Sequence, residues 1–598
     1  MTPDVPCGHR NPQALVFREA GSPRPVTFLT LCCLFLLAPG WCFPMSQSPA
    51  IDAHPLPLAV LVGFGGSRTF LSETSLPAEA RAAIDQSIEA HLRSILEALP
   101  GQLGLSATHF LLCGVSSLAS GADQMFSRCC QQLGWRQEVL LPQGWTEFLA
   151  AKNSTGQPDF SPAQAEVAEQ LFASPHILER RVASTALGRH ERFEDVNLEI
   201  SRQADVVICL RREGHSGRRG GTDHLWQESQ ARQRPCLMIG VSVSPEGQVT
   251  FTEEWFHRET FQPPSLPAEL RGLGTVATGP VSLPAYCTAL KKFASGQSRW
   301  KQTIFRWCAV AIIGTHVGAT VLALLAIKIH AKHIVPWLLC VELLLLSAGF
   351  LTHSYLHSSR AAPTWAMSRL VAEIARSVLS LKEVPGRLTH LFSLPLPETV
   401  QPLLKTLNVL HLAEVQTRST PAWTETRDRY VRERIEDRGS GQLPYYTRST
   451  RQAEGWLHLA HRAFFVASLL AFAATLLKLI LVSISADSND PSHLSKSATA
   501  AIEVIEVIEV IAAIEVAGFL AVILPLLAVA ALSLAASVDL EAQVKTYRKM
   551  VHDLQVQKQL LTNAASERAF VSQALETERQ LVGETLAWYW RRSFTSVT

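Results

Sequence analysis

Residues 57–68 read Pro57-Leu-Ala-Val-Leu-Val-Gly63-Phe-Gly65-Gly66-Ser67-Arg68. A short unbroken apolar run that ends in glycines is how a strand buried on both faces of a parallel sheet reads. The pattern recurs downstream. Pro77–Leu99 places Ala80, Ile84, Ile88, Leu92, Ile95, Leu96 and Leu99 at helical spacing, and His109–Cys113 is a second strand. Gly114 to Asp123 forms a polar turn that opens a helix to about Leu133. Glu138–Leu141 is a third strand, Ala165–Ala173 a helix, Asp205–Leu210 a fourth strand, and Pro235–Val241 a fifth after a helix that ends near Ala231. Repeated βα units predict a Rossmann-like, doubly wound parallel sheet.

The second half has a different texture. Four apolar runs, Trp307–Ile327, Ile334–Thr352, Phe464–Ser483 and Val516–Val538, each hold about 20 residues, enough to cross a ~30 Å hydrocarbon core as a helix. Composition agrees: only 18% of the 598 residues are charged, and mean hydropathy is +0.13. The expected fold class is therefore an α/β doubly wound sheet, followed by an all-α four-helix transmembrane region with cytoplasmic helical extensions. His353–Arg462 carries 15 Lys and Arg, against Lys328 and Lys332 in the first hairpin turn and Lys496 in the second loop. By the positive-inside rule that stretch, both termini and the sheet are cytoplasmic at the cell's inner (plasma) membrane. Val26–Ala38 reads the other way, as a signal-like apolar segment, whereas Met45 precedes an ordinary domain start.

The boundaries that follow are 1–44 as an extension or signal-like segment, 45–242 as a ligand-binding domain and 243–300 as a linker. Residues 301–352 form one membrane hairpin, 353–462 a cytoplasmic helical region, 463–538 a second hairpin and 539–598 a cytoplasmic amphipathic helix. The near-neutral balance of 54 Lys and Arg against 52 Asp and Glu excludes a strongly basic nucleic-acid binder. The 12 cysteines form no CxxC pair and read as small buried hydrophobes in a reducing compartment.

In open α/β sheets ligands bind at the carboxyl ends of the strands. Three glycine-rich turns open there: Gly65, Gly66, Ser67, Arg68; Gly121, Ala122, Asp123; and Gly220, Gly221, Thr222. Glycine admits close backbone approach, and the helix N-termini that follow offer N–H groups to anions. Each residue has a second, plainer reading. Arg68 is a phosphate ligand or a surface arginine. Asp123 receives a ribose hydroxyl or caps its helix. Gly220 to Thr222 cradle phosphate or simply turn the chain, and Arg211, Arg212, Arg218 and Arg219 draw in an anion or form a solvated hairpin.

Together, Val62 to Arg68, Leu118-Ala-Ser-Gly-Ala-Asp123, Leu141-Pro142, Asp159-Phe160, Ala204 to Leu210 and Gly220-Gly221-Thr222 resemble the SLOG superfamily, over about residues 55–242. That group includes DNA-processing and Lonely Guy-type Rossmann-like domains and sensors of nucleotide derivatives. Trp365-x3-Arg369-x3-Glu373-x2-Arg376-Ser377, with Gln442 to Tyr446 and Glu584 to Trp588, resembles SLATT-type membrane effectors. The resemblance implies a sensor of a nucleotide-derived ligand, fused to an effector that permeabilises the membrane in bacterial antiviral or conflict defence; no cofactor is named by the sequence beyond that small-molecule ligand. Two departures stand out. Lonely Guy phosphoribohydrolases carry a catalytic glutamate three residues after the threonine, where this chain has Leu225. Relatives end the preceding strand in Trp-Asp-Gly, where Arg212, Glu213 and Gly214 stand here. The alternative function is a membrane-tethered nucleotide or NAD hydrolase; a transporter or scaffold with a regulatory sheet is a third.

Within the spans, Glu342 and Lys478 are expected to line an aqueous path or pair with each other; Lys478 lies near enough to its span's end to snorkel. Glu503, Glu506 and Glu509 recur on one helix stripe, with Glu515 beyond. His353 and His357, spaced i, i+4, lack a third metal ligand and read as interfacial. Leu540, Val544, Tyr547, Val551, Leu554 and Leu561 make a seam that pairs either a second copy in a homo-oligomer or the chain's own helices. Thr417–Arg451, rich in Arg and Glu, reads as solvated, and Ser242–Pro284 as a linker or rim.

Overall fold

A computed structural model describes residues 56–70, 77–106, 109–152, 156–214, 219–270, 282–329, 333–417, 421–487, 500–537 and 539–594. The signal-like segment, Met45, Arg218, Lys332 and most of the second hairpin loop lie outside the described residues.

The α/β half runs β1 (Leu58–Gly66), α1 (Ala78–Gln102), β2 (Phe110–Ser116), α2 (Ala122–Gln132), β3 (Arg136–Leu141), α3 (Trp145–Leu149), α4 (Pro162–Ala173), β4 (Ile177–Val182), α5 (Arg189–Gln203), β5 (Val206–Arg212), α6 (Thr222–Ala231), β6 (Cys236–Val243) and β7 (Val249–Phe256). The strands form one sheet in the order β4-β3-β2-β1-β5-β6-β7. All neighbours are parallel except β7, which is antiparallel to β6. The winding reverses between β1 and β5, so the topological switch point lies there.

Two strands depart from the sequence reading. β4 is an edge strand, and β7 occupies the stretch expected to be a linker. Residues 283–300 of that stretch are not a spacer either, because α7 (Leu283–Lys328) covers them and continues into the first span.

Alternate residues of each central strand face opposite layers. Val60, Val62, Phe64, Val206, Ile208 and Leu210 pack under α1 and α2. Ala59, Leu61, Val207 and Cys209 face α5 and α6, and also Val409 and Leu412 of a helix hundreds of residues downstream.

The helical half comprises α7, α8 (Val335–Ser358), α9 (Ala361–Ser380), α10 (Thr389–Phe392), α11 (Gln401–Thr417), α12 (Trp423–Tyr430), a π-turn (Val431–Glu436), α13 (Gln442–Asp487), α14 (Ala500–Ser537), α15 (Leu540–Thr562) and α16 (Glu567–Phe594). Four of its helical segments are long and apolar enough to cross a membrane. Trp337, Leu343, Leu344, Phe350, Phe465, Phe472 and Leu479 point outward from them, as side chains facing hydrocarbon would. α7 packs on α8 and α13 on α14, with α14 touching α7. Gly349 lets α8 lie close on Thr315 and His316 of α7.

α11 joins the two halves. Thr406 Oγ1 accepts the buried Ala59 N–H of β1 at 2.8 Å, and Lys405 meets Asp205 at 2.5 Å. Asn408 donates to Glu138 at 3.4 Å, and Gln416 to the Leu178 carbonyl at 3.2 Å. Those contacts fall on the amino-terminal halves of the strands, so the carboxyl edge with the glycine turns is left clear of α11.

The amphipathic seam of α15 packs within the chain: Tyr547, Met550 and Leu554 cluster with Tyr446 of α13 and Leu581 of α16. Thr417–Arg451 is only partly solvated, because Tyr430, Arg434 and Ile435 are buried. A π-turn adds one residue to the helical repeat and rotates side chains that would otherwise point to solvent.

Candidate functional site at the switch point

The first two turns meet, and the third is held on α5. Ser67 accepts the Ala122 N–H on its carbonyl at 3.2 Å and the Arg212 N–H on Oγ at 3.1 Å, while its own N–H donates to the Leu210 carbonyl at 2.9 Å. The first turn is thereby held between the second turn and the end of β5.

The glycines at this junction are fixed by space. A Cβ on Gly66 would stand 2.3 Å from that of Ala122, and one on Gly65 would stand 2.7 Å from Leu225. Gly121, at φ +87°, would bring its Cβ 2.3 Å from the Arg68 carbonyl oxygen. Gly220, at φ +77°, lies against the His190 carbonyl and Phe193. Asn197 Nδ2 donates to the Gly220 and Gly221 carbonyls, both at 3.0 Å, and so pins the third turn to α5. These glycines therefore allow close packing of the first turn on the second and on α6, and of the third turn on α5, at one edge of the sheet.

Asp123 does not cap its helix: Gly121 is the N-cap residue, and the buried Asp123 carboxylate reaches back. It accepts from the Ser117 hydroxyl and, at 3.2 Å, from the Ala119 N–H. Burial pushes its pKa up to about 6, although Ser117, the Ala119 amide, Arg68 and the Gly66 amide all favour the charged form. Asp123 is a clasp across the first two turns.

Arg68 is not a free surface arginine. Its Nη1 lies 2.9 Å from Asp159 Oδ1, and its guanidinium stacks 5.2 Å from the centre of the Phe193 ring. Arg189 shares both partners, at 2.5 Å and 5.8 Å. In the sequence Asp159 stands only within the Asp159-Phe160 pattern, and Arg189, Phe193 and Asn197 are marked by nothing more than the start of a helix (Arg189–Gln203) just after the edge strand β4.

The remaining candidates are placed as follows. Thr222 is the first residue of α6, whose N-cap is Gly221, a residue with no side chain to cap those amides. Arg211 pairs with Asp223 at 3.5 Å, and Arg219 pairs with Glu194. Glu213 is turned to the edge strands, where it accepts from Ser242 at 2.9 Å and Thr252 at 2.6 Å. Leu225, where a phosphoribohydrolase would have its glutamate, is fully buried against Gly65.

A second group of polar residues converges beneath the spans. Trp365 meets Trp588 edge-on at 4.8 Å. Arg369 lies 3.7 Å from Glu584 and 4.7 Å over the Trp588 ring, and Tyr446 donates to Glu584 at 3.1 Å. Glu373 accepts from Arg434 at 2.8 Å, and Ser377 contacts His390 at 3.0 Å. Burial opposes ionisation of Glu373, but Arg376 and Arg434 hold its carboxyl below the usual range. The residues quoted from three distant stretches thus form one buried junction of α9, α13 and α16.

Within the spans, no ion pair joins Glu342 to Lys478 among the described residues. Lys478 is exposed and runs its ammonium along Gly518, while Glu342 is half-buried on α8. Glu503, Glu506 and Glu509 lie on α14, their side chains outside the described residues. His353 and His357 are exposed, and no group of three metal ligands occurs among the described residues. Seven of the described cysteines are buried and free, and Cys340 is exposed.

No protein-family model, no curated protein and no solved structure matches the chain.

Proposed function

We propose that this chain is a membrane-anchored sensor–effector. Its α/β half binds a nucleotide-derived anionic metabolite at the switch-point crevice, and its four spans respond by permeabilising the bilayer. The sheet and both termini face the cytoplasm at the cell's inner membrane, and the active form is a homo-oligomer. The resemblance to SLOG sensors and SLATT effectors is what supports a role in antiviral or conflict defence.

One observation carries the reading. Three glycine-bearing turns, two of them leading into helices with glycine N-caps, converge at the point where the sheet reverses its winding. α11 offers a route to the membrane, because it packs on the strands and belongs to the same helical layer as α9 and α16.

The test uses the full chain in detergent micelles, since a fragment ending near residue 250 would cut β7 and lose α11. Thermal unfolding is followed with NAD, nucleoside monophosphates and ADP-ribose. Stabilisation without turnover supports a sensor. Turnover supports the hydrolase reading instead. Unchanged binding by the Arg68→Gln, Thr222→Val double variant removes the crevice as the site.

A further inference from the structure

We propose that Arg68 and Arg189 form a two-guanidinium fork for the phosphoryl oxygens of the ligand, with Asp159 as its positioning carboxylate and Phe193 as its floor. This rests on the crevice reading above and adds the ligand class: an anion with at least two negative phosphoryl oxygens, such as a diphosphate.

Four observations carry it. First, both arginines converge on one carboxylate and one ring, although they come from a β1 turn and from the start of α5. Second, Asp159 is held from three sides. Its side chain is 2% exposed, its N–H donates to the Ala151 carbonyl at 2.8 Å, and its carbonyl accepts from Ser120 of the second turn at 3.0 Å. It therefore stays in place and fixes the guanidinium planes from below.

Third, the arginines remain reachable from solvent, at 33% and 37% side-chain exposure. Arg68 meets Asp159 through Nη1. Arg189 uses Nη2 for Asp159 and Nη1 for the Lys152 carbonyl. Among the described residues, the Nε groups of both and Nη2 of Arg68 make no hydrogen bond. Arg68 and Arg189 bring two positive charges against the single carboxylate they both touch, Asp159; the buried Asp123 is the next acid beside Arg68, and Glu194 is paired with Arg219. Planar forks of this kind match phosphate oxygens two at a time. Fourth, Phe193 lies against Gly220, so the fork stands between the first and third turns, beside the α6 N-terminus.

The test is calorimetric titration of the full chain in micelles with inorganic pyrophosphate, ADP and adenosine. The expected result is binding of pyrophosphate and ADP but not adenosine. Arg189→Gln should weaken both phosphates at least tenfold, Arg189→Lys should restore part of the loss, and Asp159→Asn should weaken both with both arginines retained. ADP binding that is lost in Arg68→Gln but unchanged in Arg189→Gln and Asp159→Asn overturns the fork and leaves the crevice reading intact. Adenosine binding as tightly as ADP also overturns the fork. Failure of the unaltered chain to bind any of the three overturns both proposals.

Discussion

Arg434 and Glu578 share two hydrogen bonds, at 2.8 Å from Nε and 2.7 Å from Nη2, with side chains only 5% and 0% exposed. The same guanidinium reaches Glu373 at 2.8 Å, and Tyr430 donates to Glu578 at 2.9 Å. Removing one partner of a buried ion pair leaves an uncompensated charge, which costs about 3–5 kcal/mol. Arg434→Met should therefore lower the thermal midpoint of the micelle-embedded chain strongly. The double variant Arg434→Met, Glu578→Gln should recover part of the loss. A double variant no better than the single one would mean that the pair is not energetically coupled.

Gly121 and Gly104 both have positive φ, but only Gly121 faces a backbone oxygen where its Cβ would be. A left-handed residue with a side chain costs about 1–2 kcal/mol. Gly104→Ala should show only that cost. Gly121→Ala should exceed it, because the first turn must also move off the second, and ligand affinity should fall with stability. Denaturant titration of the two variants side by side is the check. Equal losses would show that the turns are not in contact.

The strands that were legible in the sequence are those buried on both faces, where the apolar run is unbroken. β4 was not, because Glu179, Arg180 and Arg181 interrupt Ile177–Val182, and the partners of Glu179 and Arg181 come from other elements, Arg387 at 3.5 Å and Glu199 at 2.9 Å. β7 was not, because an edge strand with one wet face reads as polar loop. The glycine turns were legible as a set. The Arg68–Asp159–Arg189 cluster was not, since ion pairs formed across 30 to 91 positions leave no local signature. Arg434 was misread for the same reason: its environment is set by a π-turn and by Glu578, 144 residues away.

Acid should act on this protein through groups of opposite sign. Burial lowers His390 to about 3 and His411 to about 4 from 6.5. Their contribution is complete above pH 6.5 and is lost as pH falls toward those values. Asp123, raised by burial to about 6 from 3.8, acts the other way: its contribution is complete below pH 3.8 and is lost as pH rises through 6. Between pH 4 and 6 the aspartate therefore offsets part of the histidine loss. Asp123→Asn should steepen the acid fall in unfolding free energy there by up to one proton, about 1.4 kcal/mol per pH unit. His411→Gln should make it shallower. An unaltered slope in Asp123→Asn would mean that the carboxyl titrates normally.

The bond from the Ala59 N–H to Thr406 Oγ1 ties β1, the strand that carries the first turn, to α11 across 347 positions. Thr406→Val keeps the side chain's shape and leaves a buried N–H without its acceptor, at a cost of about 1–3 kcal/mol. The lost contact lies at the amino-terminal end of β1, whereas the crevice lies at its carboxyl end. The variant should therefore hold ADP nearly as tightly as the unaltered chain. Lys405→Met should add to the effect by freeing Asp205, whose carboxylate also accepts the Leu61 N–H at 2.9 Å. If α11 carries the ligand signal, the double variant in dye-loaded liposomes should bind ADP yet leak several-fold less than the unaltered protein. Leakage that persists at full rate with these two ties removed would place the route elsewhere, through the direct contact of Tyr286 with the Pro57 carbonyl at 3.2 Å. A Tyr286→Phe variant tests that second route in the same assay.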